Sequence, residues 1–522
     1  MSIGRRTTAL VILFAFVAVS FAARESAAQS QVPPTPASVG EQGMQMPGMP
    51  GGMSEPMGEM LLDGSDGSGT AWLPAATPMY GIHRQVGTWE VMLHGNAFLQ
   101  FLLDAKTRGS SQSGSVNWFM AMARRPVGGG TLGGRAMASF EPWTIRGCGY
   151  PDLLASGEQC EGKGIYDKQH PHDLFMELAA EYERPLAGDV RWQVYAGLSG
   201  EPALGPAGFP HRLSAMPNPL APIAHHWLDS THVSFGVVTA GIHTSKWNVE
   251  ASAFNGREPD EDRGNLDLAA LDSASVRLSL APRRDLVIQV SAGHLREAEA
   301  GHDDGEPRID VDRITASASW HRSLGTSYLA TTFAWGRNVE EDEASQAWLV
   351  ESNLTVDDQH AWFGRLELVG KPSHDLGLHD LDELVTVGKL QAGYVRYLPA
   401  WGGLTPGAGI SFSAAVVPKS LVQEYGRRVN PGIGVYLTFR PARHKMIVSS
   451  ARNQDRSAVG PSRPPPTTTT SPMIVTIGRR RAPLHHTVRT RSILRPFRED
   501  RANQLPSIVT PLALRSSSSL PT

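Results

Sequence analysis

The chain has 522 residues, but its composition argues against the three or four soluble domains that such a length alone implies. Gly 53 and Pro 38 lie above average usage, hydrophobic residues make up 41% and charged residues only 19%, which excludes a coiled coil, a helical bundle and a highly charged disordered chain. The net charge of −3 conceals two opposed parts: residues 447–522 hold twelve Arg and three acids, which leaves the first 446 residues at −12.

The N-terminus reads as an export signal. Arg5 and Arg6 precede an uncharged apolar run from Ala9 to Ala23, and Ser26 and Ala28 suit a cleavage site, so residues 1–28 are assigned as a signal peptide. The run is too short to span a bilayer, which takes about 20 apolar residues. Residues 29–78 read as an unstructured leader. Within it Met44, Met46, Met49, Met53, Met57 and Met60 are spaced by Gly, Pro and acids. The two cysteines, Cys148 and Cys160, are expected to form a loop-closing disulfide in an oxidising compartment.

From Trp89 onward the period is two. Ala274, Val276, Leu278 and Leu280 alternate with Ser273, Ser275, Arg277 and Ser279, and Ile433, Val435, Leu437 and Phe439 alternate with Gly432, Gly434, Tyr436 and Thr438. Sixteen such segments begin near residues 89, 114, 131, 174, 189, 232, 244, 272, 284, 312, 325, 345, 360, 385, 404 and 430. Short connections such as Arg124–Gly130 and Pro282–Arg284 alternate with long ones such as Glu141–Asp173, Gly200–Thr231 and Gly336–Ala344. This rhythm predicts an all-β fold: a transmembrane antiparallel barrel of about sixteen strands over residues 79–446, with short periplasmic turns and long external loops. Trp118, Trp143, Trp192, Trp227, Trp247, Trp320, Trp335, Trp348, Trp362 and Trp401 are expected at the interfacial girdles. The lumen is expected to be water-filled, lined by Arg191, Glu250, Arg277, Arg365, Glu367 and Lys389. Residues 447–522, with no lysine and no alternation, read as a disordered basic tail, in keeping with a shifted reading frame; the rival reading is a basic periplasmic arm.

Four strings are distinctive: Gln169–Glu177 (QHPHDLFME), Gly200–Pro206 (GEPALGP), His225–Trp227 (HHW) and Ala253–Pro259 (AFNGREP). Together they resemble an uncharacterised family of bacterial outer-membrane proteins carried beside copper-resistance genes, over about Trp72 to Met446. The resemblance implies an envelope barrel and brings no known activity. The Met-rich leader is also similar to that of copper resistance protein B.

The chemistry follows from donor type. Thioethers suit Cu(I), and a flexible chain gathers several, so Met44, Met46, Met49, Met53, Met57 and Met60 are candidate copper ligands; the rival is a plain linker. His170 and His172 beside Asp173, and His225 and His226 with His211 and Met216 upstream, are candidate ligands for Cu(II), Ni(II) or Zn(II), or else hydrogen-bonding elements of a plug or rim. The proline-rich loop Gly200–Thr231 is expected to fold inward, by analogy with the third loop of porins. Acids crowd the outer loops, at Glu258, Asp260, Glu261 and Asp262, then Asp303, Asp304 and Glu306, then Glu340, Glu341, Asp342 and Glu343; they form a cation-attracting rim or bridge through divalent ions to lipopolysaccharide. No G-x-S-x-G elbow is present, and no enzymatic activity or nucleic-acid partner is expected. The expected function is a channel or cation-handling barrel in copper homeostasis, the alternative a copper-sequestering protein anchored by a closed barrel. No cofactor is expected, and copper is the candidate ion. The expected partners are the outer membrane with its lipopolysaccharide, the barrel assembly machinery and, as an oligomer, a homotrimer.

Overall fold

In the computed structural model, residues 62, 64–105, 107–299, 307–341, 343–378 and 383–444 are described. The signal, the methionines Met44 to Met60, the acids Asp303, Asp304, Glu306 and Asp342, and the tail after 446 lie outside them.

A short strand β1 (Ile82–Val86) leads into β2 (Trp89–Asp104), β3 (Ser111–Val127) and β4 (Gly130–Ala138). A separate hairpin follows, β5 (Tyr150–Cys160) and β6 (Lys163–Gln169). Then come β7 (Phe175–Ala187), β8 (Val190–Gly200), β9 (Ser234–His243), β10 (Trp247–Phe254), β11 (Ser273–Arg283), β12 (Leu286–Glu299) and β13 (Ile309–Leu324). The chain ends its sheet with β14 (Ser327–Glu340), β15 (Glu343–Val356), β16 (His360–Pro372), β17 (Leu384–Tyr397), β18 (Leu404–Val416) and β19 (Val429–Pro441). Leaving aside β1 and the β5–β6 pair, sixteen strands hydrogen-bond to their neighbours in one antiparallel sheet, and β19 closes it on β2 through pairs from Gly432↔Asp104 to Phe439↔Ala97. β1 extends the seam by pairing with the start of β2, Val86 opposite Trp89. The sixteen starts fall within three residues of those read from the alternation.

Burial is inverted relative to a soluble protein. On β11, Val276 is 56% exposed while its neighbour Arg277 is 2% exposed. Leu278, Leu280, Val290, Leu366 and Leu437 likewise face outward, and Ser275, Ser279, Glu351 and Glu367 face inward. An apolar outer surface closed into a barrel leaves no unpaired edge, which is the condition for β-structure to cross a bilayer. The short turns gather at one end, apart from the tight β14–β15 connection at the other. Gly128 and Gly129, both at positive φ (59° and 78°), make the two-residue turn between β3 and β4, the conformation whose twist matches the flanking strands. The build is that of an outer-membrane barrel with its short turns toward the periplasm.

Four expectations are corrected. The connection at 336–344 is not a long loop, because β14 and β15 stay paired to Glu340↔Glu343 and Glu341 turns the chain at φ 49°. Trp118 and Trp227 are not girdle residues: Trp118 lies tilted against His211 and Trp227 is buried, its Nε1 donating to Ser345 Oγ at 2.7 Å. Residues 64–78 are not unstructured. They run inside the barrel, where Arg124 grips Asp66 at 2.9 and 3.0 Å, Arg135 Nη1 donates to the Gly67 carbonyl and Arg277 Nη2 to Thr70 Oγ1. Nor do five of the six charged lumen residues stand in water: Arg277 pairs with Glu250 at 3.1 Å, Arg365 with Glu351 at 3.0 Å and Lys389 with Asp152, and Glu367 accepts from Ala224 N, while Arg191, paired with Glu183 at 3.1 Å, lines an open cavity.

Candidate metal pocket and luminal plug

The third long loop, 201–233, crosses the lumen and is bonded to the wall along its length. Ala203 N donates to Ser252 Oγ on β10 and Gly205 N to Ser291 Oγ on β12. Asn353 of β15 donates to the Leu213 carbonyl, and Asn218 to Gln391 of β17. Arg365 of β16 donates to the Leu220 carbonyl, and Tyr436 of β19 to that of Pro217. Prolines at 202, 206, 210, 217, 219 and 222 keep this segment out of regular strand and helix; it runs through short turns such as Phe209–His211, which leaves several of its backbone groups for the wall to satisfy. At its centre Arg212, 1% exposed, donates to Glu351 at 2.7 Å and pairs with Asp229. Glu351 also accepts from Ser214 Oγ at 2.8 Å. Against the effect of burial, the Arg212 guanidinium holds the Asp229 carboxyl far below its ordinary range. On the short-turn side, residues 64–78 bound a second cavity of about 630 Å³, lined by Asp66, Arg124, Arg135 and Glu181.

At the long-loop end the loop forms one helical turn, α1 (His225–Leu228). There it meets residues from distant parts of the chain. A cavity of about 30 Å³, room for about one water-sized occupant, is lined by His170, His172, His225, His226 and His232 together with Glu258 and Glu299. His172 Nδ1 lies 3.0 Å from Glu141 Oε2, and His170 Nδ1 lies 3.2 Å from the Pro171 carbonyl. His225 Nδ1 is 2.8 Å from Asp229 Oδ1, while His232 Nδ1 is 2.8 Å from the Asp229 carbonyl. A hydrogen bond at Nδ1 fixes each ring and leaves Nε2 as the nitrogen available to a metal. Phe209 stands among these rings, its centroid 5.7 Å from His172, 5.4 Å from His225 and 5.7 Å from His232.

One trio has ligand spacing: one donor atom each from His226, Glu258 and Glu299 lie within 4.8 Å of one another. His226 Nδ1 sits 2.9 Å from Glu258 Oε1 and 3.9 Å from Glu299 Oε1, and its Nε2 is buried without a hydrogen-bond partner. Burial disfavours a charged ring, but the Glu258 carboxylate outweighs it and raises His226 to about 9. For His170 and His232, burial dominates and lowers the rings well below the ordinary value; His225 is also lowered by burial, with Asp229 opposing. The imidazoles of His170, His225 and His232, kept neutral, together with His226, which gives up its proton when it binds a cation, and the two carboxylates form a nitrogen–oxygen donor set suited to Zn(II), Ni(II) or Cu(II).

The four sequence-singled histidines are therefore brought to one pocket. His232 and Glu299 were not anticipated, and Glu258, expected on an acidic rim, turns inward to His226. The methionines Met44 to Met60 lie outside the described residues. Cys148 and Cys160 are joined in a disulfide, Cα to Cα 5.8 Å, beside the β5–β6 hairpin. That hairpin lies over the pocket's end of the barrel, with Leu153 and Leu154 buried and Asp152 paired to Lys389.

No family model matches the chain and no curated protein matches it. Among solved structures it is similar to a loop-deleted OmpT, an outer-membrane protein of Vibrio cholerae, at 9% identity and TM-score 0.40 over 68% of this chain and 99% of that one. It is similar also to an anion-selective porin of Comamonas acidovorans, at 10% identity and TM-score 0.40 over 67% and 99%. A third likeness is to OprB of Pseudomonas putida, at 8% identity and TM-score 0.43 over 68% and 94%.

Proposed function

We propose that the chain is an outer-membrane barrel that handles transition-metal cations at its external mouth, with its lumen closed by the third loop and by residues 64–78 until those segments move. The observation that carries this reading is the convergence of His170, His172, His225 and His226, from two separate loops, on one small pocket with Glu258 and Glu299. Lumen charges bonded to the loop, Glu351 to Arg212 and Arg365 to the Leu220 carbonyl, favour a closed barrel over a general diffusion pore. The role in copper homeostasis rests on the soft-donor leader, with Met44 to Met60 as the Cu(I) ligands and the His pocket as the divalent site. Lipopolysaccharide and the barrel assembly machinery are the envelope partners this reading assigns, and a homotrimer is the assembly to test by cross-linking.

The test is a Zn(II) and Cu(II) titration of purified full-length protein, paired with planar-bilayer conductance. One divalent site is expected that is lost in His226→Asn/Glu258→Gln, with a near-closed baseline conductance. Failure to bind either ion, or a site indifferent to those substitutions, overturns the metal reading; a large steady conductance overturns the closed one.

A further inference from the structure

Lumen-facing positions on most strands carry Ser, Thr, Asn and paired charges. Strands β2, β3, β4 and β7 break that rule: Met92, Met120, Met122, Met137 and Met176 are all buried in one cluster, with Met79 packed against it. Their placement follows from register. His94 lies opposite Met120 on the neighbouring strand, and Met120 lies opposite Met137 on the next, so one inward row reads His94, Met120, Met137. Side chains directly opposite one another on a sheet have Cβ atoms about 4.5–5.5 Å apart, close enough for their ends to share one small ion.

The third loop covers this row with His211. Its Nε2 lies 3.4 Å from Met137 Sδ, and its ring centroid is 5.6 Å from that of His94. Trp118 packs edge-on to His94 and lies tilted against His211 at 4.8 Å, shutting off one side. Methionine often serves as an adaptable filler, and a filler role accounts for the apolar contacts. It does not account for the imidazoles. His94 Nε2 is buried with no hydrogen-bond partner, and His211 Nε2 is aimed at a thioether, a weak acceptor. A buried polar nitrogen left unsatisfied carries a desolvation penalty, which a coordinated ion removes. All four donors are neutral or soft, and Glu177, the β7 partner of Met137, supplies a nearby carboxylate whose Oε1 accepts from Tyr195.

We infer that His94, Met120, Met137 and His211 form an intraluminal site for a soft monovalent cation of the Cu(I) and Ag(I) class, separate in residues and in donor type from the His226–Glu258–Glu299 trio. Two thioethers with two imidazoles select a soft ion over Zn(II), whereas the carboxylate-bearing trio has the opposite bias.

Ag(I) is the redox-inert probe, and the test uses full-length protein in detergent with Met44, Met46, Met49, Met53, Met57 and Met60 all changed to Leu, so that the leader contributes no thioether. This protein should bind one Ag(I) per chain in the presence of excess Zn(II), with a fluorescence change that is absent in Trp118→Phe. Met120→Leu/Met137→Leu, a volume-conserving change, should lose the ion while heat-modifiable migration is kept. His211→Asn, which alters the loop and not the wall, should lose it too and carries the test if the double variant does not fold. His226→Asn should leave the site intact. A leader-substituted protein that binds no Ag(I) overturns the inference, as does Ag(I) retained in the Met or His211 variants or lost in His226→Asn.

Discussion

Arg212→Met tests the luminal plug at its most concentrated point. The wild-type guanidinium donates to Glu351 and to the Ala207 carbonyl and pairs with Asp229, all inside the barrel. Methionine keeps the length of the side chain and removes the charge. Glu351 retains Arg365 at 3.0 Å, but Asp229 is left with His225, so one buried carboxylate loses its strong counter-ion. Breaking a buried pair in this way costs about 3–5 kcal/mol. At about 1.4 kcal/mol per tenfold, the ratio of docked to displaced loop falls by roughly two to three and a half orders of magnitude. Because the sixteen-strand sheet is untouched, the cost should fall on the loop and not on the barrel. In planar bilayers the variant should show open bursts over a near-closed wild-type baseline, and limited proteolysis should cut within 201–233. A folded, heat-modifiable Arg212→Met protein whose conductance and protease pattern match the wild type would refute the argument that this ion-pair cluster holds the lumen shut.

Thiol labelling without reductant should find no free cysteine. Cys148→Ser/Cys160→Ser, which opens a loop of sequence separation 12 whose closure contributes about 3 kcal/mol in the chain-entropy account, should make the β5–β6 hairpin the first segment to be cleaved by protease. Glu201, just past the end of β8, is raised by burial to about 8, with Arg277 opposing. An acid whose folded pKa exceeds its unfolded value destabilises the fold progressively as pH rises between the two. The urea midpoint should therefore fall from about pH 4.5 to pH 8 in the wild type, and Glu201→Gln should flatten that part of the profile; equal slopes in the two proteins would count against it. A peptide covering residues 41–60 should take up Cu(I) equally at pH 5 and pH 7, since thioethers have no proton to lose, and should lose it when all six Met become Leu.

The barrel was legible because its code is local. Two-residue alternation marks each strand wherever one face meets lipid and the other a polar interior, and turn chemistry such as Gly128-Gly129 separates neighbours. What fills the barrel was less legible. Residues 64–78 read as a linker because Gly, Ser and Asp carry no period; Arg124, Arg135 and Arg277, far along the chain, give them their place. The pairing of His226 with Glu258 and Glu299 likewise joins separate loops and leaves no spacing to read. The luminal Met row did leave a trace, Met92-x-His94 and Met120-x-Met122 at the strand period, but methionine on an alternating strand looks the same whether it faces lipid or lumen. Trp118 was misassigned for the same reason: its face depends on register.

The docking of residues 64–78 bears on the order of assembly. These residues are continuous with the first strands, and their anchors Arg124 and Arg135 lie on β3 and β4, within about the next seventy residues of chain. The contact with Arg277 of β11, and the meeting of β2 with β19, bridge far greater separations and form later as the growing sheet curls. Residues 64–78 thus have most of their anchors in the first strands, whereas the third loop, held by β15, β16, β17 and β19, has its full set of anchors only when the last strands are in place. Beside the docked segment a polar cavity of about 630 Å³ stays open, so the charges of Asp66, Arg124, Arg135 and Glu181 pair with one another where there is still room for water.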